Sequence, residues 1–108
     1  MDRYSKSTNF LKEVQTLIPL GSQTFSKSYK QFPVGVSPLF LDKADGSKVW
    51  DIDGNEYIDF VNSLLAVSIG YNIKSINKAI MNQLESGGVS FSLPTKLEYD
   101  VSKLLVEM

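Results

Sequence analysis

The chain has no cysteine and no histidine in its 108 residues. Those two absences exclude disulfides, thiolate nucleophiles, zinc ligation of the usual kinds and imidazole acid–base work. A charge excess is missing too. The formal net charge is −1, so no basic field draws nucleic acid or anionic lipid. Long apolar runs are also lacking. The richest, Phe60 to Ile69, is broken by Asn62, Ser63 and Ser68 and is about half the length a membrane helix needs. The opening Met1-Asp2-Arg3-Tyr4-Ser5-Lys6 leads into an amphipathic pattern, where a signal peptide would carry an apolar core. Leu20-Gly21-Ser22 and Gly87-Gly88 fit neither the Walker nor the dinucleotide pattern of a phosphate cradle. The expected location is cytoplasmic, with neither nucleic acid nor membrane as a partner.

What is present is a globular composition, 43% hydrophobic and 21% charged, at the length of one small domain. Phe10, Leu11, Val14, Leu17 and Ile18 recur at helical spacing and predict a helix from roughly Thr8 to Ile18. Ser7 or Thr8 is its expected cap, and Pro19 and Gly21 end it. Ser22 to Val36 has no clean period and reads as an arm anchored by Phe25, Tyr29 and Phe32. Three strands follow: Leu39 to Lys43, Lys48 to Ile52 and Glu56 to Phe60. The turns between them are Ala44 to Ser47 and Asp53-Gly54. Together they predict a three-stranded antiparallel meander. After a connector from Val61 to Tyr71, a second helix is expected from Lys74 to Glu85, stopped by Gly87-Gly88. Thr95-Lys96-Leu97-Glu98 fits a capping box. It opens a third helix with Leu97, Val101, Leu104, Leu105 and Met108 on one face. That helix has no stop signal before Met108, which reads as a cut. The expected fold class is α+β, in three stretches: residues 1–36 as helix and arm, 37–60 as meander, 61–108 as connector and two helices.

The carboxylates Asp51, Asp53, Glu56 and Asp59 cluster in the hairpin. Asp51, Asp53 and Asn55 mimic the opening of a calcium loop, but the glycine and glutamate such a loop requires are Glu56 and Asn62 here. An acid–base pair is a second reading, since alternate strand residues share a face. The plain reading is that Asp53 shapes the turn through its own backbone and the others are solvated. Trp50 reads as core. Among scattered lysines only Lys27 draws notice, because it sits in the polar, aromatic-containing arm.

The wording of the hairpin carries more than its shape. Gly46-Ser47-Lys48-Val49-Trp50-Asp51-Ile52-Asp53-Gly54-Asn55-Glu56-Tyr57-Ile58-Asp59 resembles the N-terminal segment of class-III, pyridoxal-phosphate-dependent aminotransferases, the glutamate-1-semialdehyde aminomutase branch in particular. Ile18-Pro19-Leu20-Gly21, Ser63 with Gly70, and Phe91-Ser92-Leu93-Pro94-Thr95 with Glu98 resemble further family segments in the family's order. The resemblance implies the small-domain start of a fold-type-I enzyme, with pyridoxal phosphate as cofactor of the complete protein. It implies a homodimer, a small amino or keto substrate, and the rest of a longer chain as partner. It implies no catalytic, cofactor-binding or metal-binding residue within these 108. The substrate-facing positions it implies are Thr24, Lys27, Ser63 and Leu64. Here Thr24 and Lys27 stand where that branch has Ser and Arg. Leu64 replaces an aromatic, Leu65-Ala66 replaces Gly-Pro, and Tyr71 replaces His. Lys keeps the charge but not the bidentate fork of Arg. These departures imply a different substrate, nearer to relatives of surface-polysaccharide or sugar biosynthesis. The competing class is a small non-catalytic α+β interaction module.

Overall fold

A computed structural model describes residues 2–108. Helix α1 is Ser5–Val14, a short 3₁₀ turn is Phe25–Lys27, and strands β1, β2 and β3 are Leu41–Asp45, Lys48–Asp51 and Glu56–Ile58. Helices α2 and α3 are Lys74–Ser86 and Lys96–Glu107. The expected α+β class and the antiparallel meander in the order β1-β2-β3 are both present. The chain divides into two compact units, residues 1–73 and 74–108.

In the first unit the hairpin forms where β-branched and aromatic residues flank Gly54, which takes φ +91° in the turn. Val49 pairs with Tyr57, and Trp50 with Glu56. Val49 and Asp51 are the buried residues of β2, on its inward face. The first strand lies two residues later than the sequence predicts, at Leu41–Asp45. Its turn is therefore only Gly46-Ser47, closed by the Asp45–Lys48 pair. The cause is long-range: Gly46 exchanges both backbone hydrogen bonds with Tyr71, at 3.0 and 2.8 Å. Gly70 permits this approach. Its φ is +100°, and a Cβ there would sit 3.0 Å from the Gly46 carbonyl oxygen.

Helix α1 also begins and ends earlier than the periodicity predicts. Neither Ser7 nor Thr8 caps it; Tyr4 is the N-cap and makes no side-chain cap. The Asp53 carboxylate does that work from 46 residues away, accepting the N–H of Ser7 at 2.9 Å. It also accepts the Lys6 N–H at 2.7 Å and the Ser7 hydroxyl. An anion at a helix N-terminus meets unpaired N–H groups and the positive end of the dipole. Apolar packing beside this clasp is modest. Tyr4, Leu11 and Val49 are buried, and Phe10 meets Phe40 edge-on at 5.0 Å.

In the second unit α2 ends as predicted. The N–H groups of Gly87 and Gly88 both reach the Gln83 carbonyl, at 3.0 and 2.9 Å, with Gly88 at φ +77°. Thr95 and Glu98 form the predicted capping box of α3, the Glu98 carboxylate accepting the Thr95 N–H at 3.0 Å. Neither helix buries a residue.

Candidate functional site

The hairpin carboxylates are structural hubs rather than solvated groups. Asp51, 1% exposed, accepts the Asn55 N–H at 2.8 Å, the Asn55 side-chain amide at 2.9 Å and the Tyr57 hydroxyl at 2.8 Å. Burial pushes its carboxyl upward, but these hydrogen bonds outweigh burial and hold it below the ordinary carboxylate value. Asp53 is also held low, its bonds from Ser7 and Lys6 outweighing burial. Burial and the bond to Asp51 push the Tyr57 phenol far above its ordinary value. The Arg3 guanidinium lies 5.5 Å from the ring centres of both Tyr4 and Tyr57. Asp53 thus fastens α1 to the turn while Asp51 braces the hairpin itself, which departs from the plain reading of both. Trp50 is half-buried under the Lys43 ammonium, 4.7 Å from its ring centre.

A cavity of about 580 Å³ opens beside the sheet in the first unit. Strand and loop residues Phe40, Val49, Ile58 and Phe60 give it an apolar wall, and Lys27, Ser63, Asp59 and Tyr71 bring its polar groups. A largely apolar cleft with a few convergent polar groups is the usual form of a small-molecule site.

Two of the four substrate-facing candidates meet here, and two do not. Lys27 ends the 3₁₀ turn of the arm and lines the cavity. Its place is fixed by Ser28, which is 1% exposed. The Ser28 hydroxyl donates to the Phe25 carbonyl at 2.7 Å and accepts the Lys30 N–H at 3.3 Å. The expected aromatic anchor Phe25 is 60% exposed, so the arm is held by a buried serine in its stead. Phe32 does turn into the cavity wall. Thr24 is the exposed N-cap of the same turn, and the Lys27 N–H reaches its carbonyl at 3.2 Å. It does not line the cavity.

Ser63 lines the cavity from a loop of unusual backbone. Asn62, Ser63, Leu64 and Leu65 have φ of 50, 49, 59 and 70°. Left-handed backbone costs roughly 1–2 kcal/mol per residue with a Cβ. Leu64 is exposed and does not line the cavity. Asp59 offsets part of the cost, accepting the N–H groups of Val61 and Asn62 at 2.8 and 3.2 Å. The Tyr71 hydroxyl donates to the same carboxylate at 2.5 Å. Although burial raises the Asp59 carboxyl, the Tyr71 hydroxyl and the two amides hold it below its ordinary value. The bond to Asp59, aided by burial, pushes the Tyr71 phenol up to about 12. Sequence reasoning marked Tyr71 as a departure without giving it a role. Its signal was the Gly70-Tyr71 pair opposite Gly46.

The sequence profile of the class-III aminotransferases matches residues 30–107. The chain is 38% identical over 107 residues to a glutamate-1-semialdehyde 2,1-aminomutase of Bacillus cereus, covering 99% of this chain and 24% of that protein. It is 38% identical over 105 residues to the aminomutase of Persephonella marina, covering 97% of this chain and 24% of that protein. The chain therefore spans about a quarter of the length of the curated relatives it matches. Among solved structures, an omega-transaminase from Sphaerobacter thermophilus aligns with a TM-score of 0.81 at 28% identity, over 99% of this chain and 24% of that one. An amine transaminase from an uncultivated Pseudomonas species, solved in its PLP-bound form, aligns at 0.57 and 28% identity, over 83% of this chain and 19% of that one. The fold, the hairpin and the profile match agree: the chain belongs to the class-III aminotransferase family.

Proposed function

We propose that this chain is the N-terminal, substrate-facing portion of a pyridoxal-phosphate-dependent transaminase or aminomutase acting on a small amino or keto substrate. The observation that carries this reading is the meeting of Lys27 and Ser63 on one cavity wall in a chain of this family. An ammonium and a hydroxyl on an apolar wall suit an acidic group of a small amino substrate. Thr24 and Leu64 do not line that cavity and are not part of the proposed contact. Family membership favours this enzyme over an interaction module. The same reading places the complete protein in the cytoplasm as a homodimer. Its substrate lies closer to surface-polysaccharide or sugar biosynthesis than to glutamate-1-semialdehyde, because Lys27, Leu64, Leu65-Ala66 and Tyr71 depart from the aminomutase pattern.

The described residues do not fit the covalent half of a pyridoxal phosphate site. The lysine of the cavity is in an exposed arm, and the carboxylate of the cavity, Asp59, is committed to Tyr71, Val61 and Asn62. The cofactor's electron sink needs a lysine and a pyridinium partner, and these belong to the rest of the enzyme in this reading. What this chain supplies is substrate binding and orientation.

The test is Lys27→Ala in the complete enzyme. With an acidic amino substrate, kcat/KM falls by the value of one charged hydrogen bond, about 1.5–3 kcal/mol. With a small neutral amine the kinetics are spared. Equal kinetics for both proteins with the acidic substrate would return Lys27 to the ordinary surface.

A further inference from the structure

Tyr71 touches two things that lie far apart in sequence. Its backbone is bonded on both sides to Gly46, in the tight turn of the β1–β2 hairpin. Its hydroxyl donates to Asp59. Asp59 in turn accepts the N–H groups of Val61 and Asn62. Two consecutive amides, 61 and 62, are therefore held by one carboxylate, which the phenol holds in turn. They lead directly into the left-handed run from Asn62 to Leu65, a conformation that persists only where the surroundings impose it. Ser63 is the member of that run that lines the cavity, as Tyr71 does.

We infer that the Asp59–Tyr71 pair is a positioning device that imposes the left-handed loop and thereby presents Ser63 to the substrate, in the cavity that Lys27 also lines. The hairpin is the rigid base: it fixes Tyr71 through Gly46, and Tyr71 fixes the loop. The phenol is the part that matters, because its hydroxyl holds the carboxylate that holds the loop. Phenylalanine keeps the ring and the backbone pairing but loses that bond. This inference rests on the reading of Ser63 as substrate-facing for its functional half, while its geometric half stands on the hydrogen bonds alone.

The experiment has two arms. Amide hydrogen exchange of the complete enzyme compares wild type with Tyr71→Phe. Exchange at Val61 and Asn62 rises about tenfold or more, while the β1–β2 pairing is unchanged; unchanged exchange at those two amides overturns the device. In the complete enzyme, Tyr71→Phe raises KM about threefold to tenfold with kcat little altered, as for one lost neutral hydrogen bond. In a Ser63→Ala background the same substitution has no further effect, since Tyr71 acts through Ser63. An equal loss in both backgrounds shows a structural role only and overturns the presenting role. If Ser63→Ala alone leaves the kinetics intact, the presenting role falls as well. The Lys27→Ala result, read separately, then shows whether the substrate-binding reading survives without it.

Discussion

The two units of this chain are built on different physics. In residues 1–73, polar groups are buried and paired: Asp51, Ser7 and Ser28 are the most deeply buried side chains, each with named hydrogen-bond partners. In residues 74–108, the helices carry local signals in adjacent residues, a capping box at α3 and a glycine stop after α2. Ile80, Leu84, Val101 and Leu105 are all at least half exposed. The first unit carries the candidate site, and there distant segments fix one another, Asp53 with Ser7 and Gly46 with Tyr71. Isolated helices of 12 or 13 residues are marginal in water without packing on one face.

The comparison breaks most sharply at the clasp. Asp51→Ala leaves the Asn55 amides and the Tyr57 hydroxyl without their buried acceptor and costs about 3 kcal/mol of stability. Asp53→Ala costs about 2 kcal/mol by uncapping α1 from a distance. Denaturant midpoints read by circular dichroism check both. A loss under 0.5 kcal/mol at Asp51 would mean that the first unit is held by its apolar contacts.

A pH titration sharpens the same point. Asp51, Asp53 and Asp59 are all held below the ordinary value. The stability they contribute is complete above about pH 4 and is lost as pH falls through their lowered values. Tyr71 runs the other way. Its contribution is complete below about pH 10 and is lost as pH rises through about 12. The expected profile is a plateau between those limits. Asp51→Asn flattens its acid edge.

The smallest effect belongs to the second unit. Thr95→Ala weakens the start of α3 by roughly 1 kcal/mol, measured as faster amide exchange from Leu97 to Asp100. The denaturant midpoint of the first unit is unmoved.

What the sequence disclosed follows the same division. The hairpin, the glycine stop after α2 and the capping box of α3 are written in adjacent residues, and each was legible. The misplacements are all long-range. Helix α1 starts at Ser5 because an aspartate 46 residues beyond Ser7 caps it. Strand β1 shifts because Gly46 pairs with Tyr71. The left-handed run at Asn62 to Leu65 contains no glycine; Asn62 hints at it, while the two leucines give no sign of it. Phe25 was expected to anchor the arm by its hydrophobicity, yet Ser28 does so by hydrogen bonds that propensity does not see.

The central claim is that paired carboxylates, rather than an apolar core, hold the site-bearing unit together. Residue-resolved amide exchange of the wild-type chain near neutral pH tests it most directly. The account predicts that Lys6, Ser7 and Asn55, whose N–H groups end on Asp53 and Asp51, are protected to the level of the β2 amides, well above those of α2 and α3. Rapid exchange at those three amides, or equal protection across both units, would contradict it.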